Sequence, residues 1–299
     1  MPHDRAGGGW GSGGISRWIQ ASGYHTVMDT PVNEYRTLIE PLDRLSRKAA
    51  ATILDIYGSD DFGVTRKDDE SPLTAADMAS HHLLCEELAK FKPELPILSE
   101  ENAEKIPREE RLGWTRYWLI DPLDGTKEFV KRNGEFTINI ALIENGRPVL
   151  GIVHVPVTGM SYIGLAGQGA ESRDRKGQSR ALYVAGTVGS RPVRIVGSRS
   201  HGGGEIDEFA ARLGEHEFLA VGSALKFCLV ASGEADVYPR LKPTCEWDTA
   251  AGQAVLEAAG GTVVERDGTP LRYNQRASLV NPHFLASGDP LHDYTRALD

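Results

Sequence analysis

The sequence predicts an α+β protein whose second half passes into α/β alternation. Three observations carry this reading. Two amphipathic helical stripes come first. A run of short strands with hairpin turns follows. From residue 193 onward, strands and helices alternate.

The first stripe starts near Asn33 and runs through Leu38, Ile39, Leu42, Leu45, Ala49, Ile53 and Ile56, with Gly58 as a stop. The second follows Thr74 through Met78, His82, Leu83, Leu84, Leu88 and Phe91. Thr74 is the N-cap and Asp77, three residues on, makes a variant capping box. Strand signals follow at Pro96–Ser99 and Tyr117–Ile120. Phe136–Glu144 and Pro148–His154 form a hairpin around Glu144-Asn145-Gly146. Ser161–Ala166 and Gly169–Arg173 form another around Gly167. In the second half, strands are expected at Val193–Val196, Phe218–Val221, Ala235–Tyr238 and Gly261–Glu265. Helices are expected at Ile206–Leu213, Ala224–Ser232 and Thr249–Ala259. The expected division is a Gly-rich disordered tail at 1–27, an α+β domain at 28–185 and an α/β domain at 186–299. Met28 is an alternative start.

Composition narrows the function. The 299 residues carry a net charge of −9, which disfavours a nucleic-acid binder. No stretch reaches the roughly 20 apolar residues of a membrane span. Peripheral attachment to the inner membrane is the alternative setting, since it leaves little sequence trace. Cys85, Cys228 and Cys245 are widely spaced, without a CxxC pair. This points to a reducing, cytoplasmic setting and against a zinc finger.

Acidic residues gather in four segments: Lys67 to Asp77, Leu98 to Glu101, Trp118 to Phe129, and Glu246 to Gly252. In the third, an apolar strand delivers Asp121 to its C-terminal edge. Pro122 is expected to fix a turn there, so that Asp121, Asp124 and the Leu123 carbonyl converge. Such an oxygen-only set suits Mg²⁺. Gly125 permits close backbone approach, and the Gly125 and Thr126 amides can face a phosphate. Alone, each element has a plainer reading. Asp-Pro-x-Asp-Gly is a common surface turn. Asp248 is expected at the N-cap of the helix from Thr249. Glu100 reads as a loop acid, and Asp77 as a helix-dipole partner. The combination is what points to a metal centre. Glu100, Asp121, Asp124 and Asp248 carry four negative charges, which two Mg²⁺ ions neutralise. A third offsets an incoming phosphate dianion.

The four segments together resemble the inositol monophosphatase superfamily of lithium-sensitive, Mg²⁺-dependent phosphatases. The resemblance rests on W-x-I-D-P-L-D-G-T and W-D-x-A-A-G and extends over Tyr35 to Ser287. Within it, Lys67-x-Asp69-x-Ser71-Pro72-x-Thr74-x-Ala76-Asp77, Asp124-Gly125-Thr126-Lys127-Glu128-Phe129, Ser198-Arg199-Ser200-His201 and Cys245-Glu246-Trp247-Asp248-Thr249 look like the CysQ-type 3'(2'),5'-bisphosphate nucleotidases. Inositol monophosphatases usually carry asparagine where this chain has Glu128. Leu73 stands where valine is more usual.

The resemblance implies a layered α-β-α-β-α sandwich and two to three Mg²⁺ ions on Glu100, Asp121, the Leu123 carbonyl, Asp124 and Asp248. It implies that Thr126, paired with Asp77, orients an attacking water that Glu100 shares through its metal. The substrate would be a small bisphosphorylated nucleotide, adenosine 3',5'-bisphosphate going to AMP and phosphate, in sulfur assimilation and nucleotide recycling. Glu100, Leu123, Asp124, Gly125, Thr126 and Asp248 would meet the phosphate that reacts. Ser223, Lys226, His201 and Arg240 are candidates for the rest of the nucleotide. Plainer readings stand beside them: a solvated lysine for Lys226, a surface loop histidine for His201, and inert burial for Cys245. Two rivals are weighed: an inositol or sugar phosphatase of the same superfamily, and a non-catalytic metal- or nucleotide-binding module. The second is disfavoured because the whole set, Thr126 included, is present.

Overall fold

The computed structural model describes residues 32–59, 63, 65–66, 72–186, 191–198, 204–289 and 291–298. The tail at 1–27, residues 67–71 of the first motif and Arg199 to His201 lie outside them.

The first stripe folds as α1 (Val32–Arg36) and α2 (Ile39–Tyr57), parted by a turn at Thr37 and Leu38. α2 buries Leu42, Leu45, Ala49 and Ile53 and ends at Gly58, as its spacing predicts. A short ribbon, β1 (Thr65–Arg66) with β2 (Pro72–Leu73), precedes α3 (Ala75–Leu88). The expected capping box is present: Thr74 accepts from the Asp77 amide at 3.4 Å, and Asp77 Oδ2 accepts from the Thr74 amide at 2.8 Å.

A seven-stranded sheet follows: β3 (Ile97–Ser99), β4 (Arg116–Asp124), β5 (Thr137–Glu144), β6 (Arg147–Val155), β7 (Met160–Leu165), β8 (Gly169–Arg173) and β9 (Ser179–Leu182). Only β3 and β4 are parallel; the later pairs are antiparallel neighbours in chain order. Asn145 and Gly146 both take positive φ, the geometry that an Asn-Gly hairpin turn requires. The one-turn helix α4 (Arg108–Arg111) stands before β4. The short helix α5 (Thr126–Val130) follows it.

The second half builds a five-stranded sheet in the order β11-β10-β12-β14-β13. Its strands are β10 (Val193–Gly197), β11 (His216–Ala220), β12 (Val237–Arg240), β13 (Thr262–Glu265) and β14 (Phe284–Ser287). Its helices are α6 (Glu205–Leu213), α7 (Leu225–Ala231) and α8 (Glu246–Ala258). Among the described strands, β1, β2, β9 and β14 lie outside the sequence expectations. β9 is exposed at three of its four positions, and β14 is a four-residue apolar run with no period to read.

The layers are α2 and α3, the seven-stranded sheet, α7 and α8, the five-stranded sheet, and then α6 with a 3₁₀ turn at Tyr294–Leu298. This is the α-β-α-β-α sandwich. Tyr117, Leu119, Ala141 and Val153 share one buried cluster with Phe227, Val255 and Phe284, so α7 and α8 fill the space between the sheets. α8 comes unusually close to the first sheet. Gly151 and Gly164 are cross-strand partners on β6 and β7. A Cβ at Gly151 would stand 2.5 Å from the Ala251 carbonyl, and one at Gly164 2.5 Å from the Ala254 carbonyl. This notch fixes the depth of α8, whose first turn carries Asp248.

Candidate active site

The centre begins with a fault in β4. The sequence suggested a turn at Pro122; instead the strand continues to Asp124 through a bulge. Asp121 lies opposite Asn139 and Asp124 opposite Thr137, so β4 takes three steps where β5 takes two. In a regular strand, residues three apart point to opposite faces. The extra residue returns Asp124 to the face of Asp121. Gly125 then takes φ 93°, a conformation suited to glycine, and opens α5.

Asp121, Asp124 and Asp248 each offer an oxygen to one locus, the three atoms lying within 4.8 Å of one another. Each carboxylate is held by hydrogen bonds to one of its oxygens. Asp121 Oδ1 accepts from the Leu123 amide at 3.0 Å. Asp124 Oδ2 accepts from the Ala224 amide at 2.5 Å, Asn139 Nδ2 at 3.3 Å and Thr137 Oγ1 at 3.4 Å. Asp248 Oδ2 accepts from Thr244 Oγ1 at 2.5 Å and the Cys245 amide at 2.8 Å. Among the described residues, none of the three forms an ion pair. Their oxygens form a hard, preorganised set that fits a divalent cation.

Asp248 corrects the sequence reading. α8 starts at Glu246, so Cys245 is the N-cap and Asp248 is the third helical residue, in a capping box. Thr244, just outside the helix, adds the second hydrogen bond.

The three carboxyls crowd one another in a buried place. Burial first, then the charges of Glu100, Asp124 and Asp248, hold the Asp121 carboxyl well above the usual range. Burial and the Asp248 charge push Asp124 up to about 7, against the pull of Lys226. Glu100 is not one of the three gathered residues, but its charge reaches Asp121. Its amide bonds the Ile120 carbonyl at 3.3 Å, which fixes the end of β3 beside β4.

Asp77 has a different partner. Its Oδ2 closes the capping box, and its Oδ1 accepts from Thr126 Oγ1 at 3.2 Å. The Thr126 hydroxyl is also 3.4 Å from the Leu123 carbonyl. The expected Asp77–Thr126 pair is therefore formed, at the mouth of α5.

A cleft of about 120 Å³ adjoins the centre, lined in part by Gly125, Glu128, Ser223, Lys226, Arg240 and Asp248. Lys226 is no solvated lysine. It is buried, with Nζ on the Ser223 and Val221 carbonyls and 5.4 Å from the centroid of the Tyr238 ring. Burial lowers its ammonium to about 8, while Asp124 pulls the other way. Arg240 gives one guanidinium nitrogen to the Pro243 carbonyl at 2.7 Å, and its buried Nε has no hydrogen-bond partner among the described residues. Ser223 takes φ 50° at the cleft wall. Sequence reasoning missed Thr244, Asn139, Thr137 and the Ala224 amide, which hold the carboxylates. Only Thr244, a hydroxyl four residues before Asp248, left a local trace.

A sequence model of the inositol monophosphatase family matches residues 34–293. The chain belongs to the inositol monophosphatase family. It is 47% identical over 248 residues to the 3'(2'),5'-bisphosphate nucleotidase CysQ of Salmonella typhimurium, covering 83% of this chain and 98% of that protein. It is 46% identical over 251 residues to the protein of the same name from Escherichia coli K12, covering 84% and 99%. The crystal structure of CysQ from Bacteroides thetaiotaomicron superposes with a TM-score of 0.70 at 40% identity, covering 81% of this chain and 94% of that one. An inositol monophosphatase from Anabaena gives 0.69 at 27% identity, with 89% and 96% covered. The family is one of metal-dependent phosphatases, and this chain gathers an acidic cluster at Asp121, Asp124 and Asp248.

Proposed function

We propose that this chain is a Mg²⁺-dependent 3'(2'),5'-bisphosphate nucleotidase, converting adenosine 3',5'-bisphosphate to AMP and phosphate. The observation that carries the reading is the arrangement of three carboxylates. Each has one oxygen held and one without a described hydrogen bond, beside a Thr126–Asp77 pair and a cleft lined by the buried Lys226 and by Arg240. The CysQ relatives supply the substrate class.

Glu100, Asp121, the Leu123 carbonyl, Asp124 and Asp248 are the proposed ligands of two to three Mg²⁺ ions. When bound, Mg²⁺ supplies a more acidic water and a counter-charge for the leaving oxygen. The protein's own groups do the positioning. Thr126, held by Asp77, orients the attacking water in line with phosphorus. The Gly125 and Thr126 amides meet the phosphate that reacts. Arg240, Lys226 and Ser223 are assigned to the second phosphate and the nucleoside. His201 is kept in that group from the sequence and lies outside the described residues. Residues 28–185 then carry most of the centre, and residues 186–299 bring Asp248 and the cleft wall. No helix among the described residues is long and apolar enough to cross a membrane. The proposed setting is cytoplasmic, with peripheral membrane attachment left to experiment, and the proposed partner is the nucleotide rather than nucleic acid.

The test is a substrate panel with Mg²⁺, with and without Li⁺. Adenosine 3',5'-bisphosphate should exceed inositol 1-phosphate by at least about tenfold in kcat/KM, since a second phosphate contact is worth more than about 1.4 kcal/mol. Equal rates would move the assignment to the inositol or sugar phosphatases.

A further inference from the structure

We propose that one stripe of α3 is a template that sets the spacing of the metal-site segments, with Ser80 and His81 as positioning residues. The inference rests on the metal-centre reading above. Asp77, Ser80 and His81 stand at positions i, i+3 and i+4, so their side chains share one helix face. That face meets three different segments. Asp77 meets the Thr126 hydroxyl at the start of α5. Ser80 Oγ donates to the Pro122 carbonyl at 2.8 Å, inside the β4 bulge between Asp121 and the Leu123 carbonyl. His81 Nδ1 is 2.9 Å from Ser99 Oγ, at the end of β3 and next to Glu100.

All four polar groups are buried: Asp77, Ser80, His81 and Ser99 are at most 9% exposed. Buried polar groups of this kind make defined hydrogen bonds rather than solvent-averaged ones, so each fixes the segment it touches. Ser99 is pinned from its other side as well, its amide donating to Asn102 Oδ1 at 2.8 Å. The bulged residue of a bulge is unpaired with the neighbouring strand, so the Pro122 carbonyl needs a partner from elsewhere. Ser80 is that partner. Glu100, just past β3, acts on Asp121 of β4 through its charge, and α3 touches both strand ends. Neither Ser80 nor His81 contacts the cation locus. Their effect is to set how far apart the ligands stand.

The experiment compares wild type with Ser80→Ala, Ser80→Thr, His81→Phe and His81→Asn, all as the full chain. Two readouts are taken. One is the Mg²⁺ concentration giving half of the Mg²⁺-induced rise in melting temperature, without substrate. The other is steady-state kinetics on adenosine 3',5'-bisphosphate. Ser80→Ala and His81→Phe should raise the half-effect concentration by about three- to tenfold, the scale of one buried hydrogen bond. The nucleotide KM at saturating Mg²⁺ should stay within about twofold. His81→Asn, which keeps a hydrogen-bonding group near Nδ1, and Ser80→Thr, which keeps the hydroxyl, should recover most of the loss.

A purely structural role would lower the melting temperature without Mg²⁺ and leave the half-effect concentration unchanged. That result, with a wild type that responds to Mg²⁺, overturns the template and leaves the metal centre standing. A wild type that shows no response to Mg²⁺ overturns the metal reading itself, and the template with it. If Ser80→Ala does not fold, the His81 pair decides.

Discussion

The same capping device is used at two places in this molecule, to different ends. At the start of α3, Asp77 stands three residues after the Thr74 N-cap. At the start of α8, Asp248 stands three residues after the Cys245 N-cap. In both, Oδ2 accepts the N-cap amide at 2.8 Å, and a threonine hydroxyl approaches the same oxygen. The helix end thereby freezes each carboxylate in one rotamer. What differs is what the second oxygen faces. Asp77 Oδ1 faces the Thr126 hydroxyl. Asp248 brings an oxygen within 4.8 Å of oxygens of Asp121 and Asp124, and its Oδ1 carries no described hydrogen bond. A carboxylate that caps a helix is therefore already oriented for chemistry. Whether it serves a hydroxyl or a cation depends on what the neighbouring strand brings to it.

The strongest way to break this comparison is to neutralise each acid in turn. Asp248→Asn should lower kcat/KM by about 10³-fold or more and should also abolish the Mg²⁺-induced rise in melting temperature. Asp77→Asn should lower kcat by about 10²- to 10³-fold and keep that rise, because it disturbs the orientation of Thr126 rather than the cation locus. Thermal shift with titrated Mg²⁺, read beside steady-state rates, checks both. If Asp77→Asn loses the Mg²⁺ response as completely as Asp248→Asn does, the two boxes do not divide their labour in this way.

A second test asks what the cation relieves. Without metal, Asp121 and Asp124 have folded-state pKa values raised above those of the unfolded chain, near 3.9. The native state then binds more protons than the unfolded state between about pH 4 and 7, so stability must fall as pH rises through that window. EDTA-treated protein should lose about 2 kcal/mol between pH 5 and pH 7.5 in urea melts, and saturating Mg²⁺ should remove most of the slope. Glu246, pushed up to about 7 by burial away from this locus, leaves a residual slope that Mg²⁺ does not touch. Asp236, held low by hydrogen bonds from Arg191 and Arg194, contributes stability lost only at more acidic pH. An EDTA-treated protein that is as stable at pH 7.5 as at pH 5 would contradict the proposed strain among the carboxylates.

How much of this was legible in the sequence differs between the two boxes. Thr74 and Asp77 were readable, because threonine is a favoured N-cap and the spacing of three is local. Asp248 was displaced by three positions, because a cysteine N-cap carries no such signal and Asp itself is a favoured N-cap. The gathering of Asp121 and Asp124 was expected, but through a turn at Pro122. The bulge depends on pairing with Asn139 and Thr137, and register with another strand is not written in the β4 segment itself. The α2 stripe and the Asn-Gly turn between β5 and β6 were legible locally, whereas the layered sandwich was implied by the family resemblance. β9 and β14 were not legible, since one is too exposed and the other too short to show a period. Lys226 could be read as a helix-opening lysine but not as a buried one. Its burial comes from the Ser223 and Val221 carbonyls folding over it, a tertiary fact.

The smallest expected effect separates capping from ligand support. Thr74 is a true N-cap whose hydroxyl accepts from the Ala76 amide at 3.2 Å, so Thr74→Ala should destabilise the fold by about 1 kcal/mol. Thr244 lies one residue outside α8, and its described hydroxyl contact is with Asp248 alone. Thr244→Ala should therefore cost less than about 0.5 kcal/mol of stability without metal, because the helix keeps its N-cap. It should still weaken Mg²⁺ binding by about two- to fivefold, since Asp248 loses one of the two donors that hold its inner oxygen. Urea melts in EDTA and Mg²⁺ titrations on the two variants measure the two quantities separately. Equal losses of stability, with Mg²⁺ affinity unchanged in both, would reduce the α8 box to an ordinary helix cap.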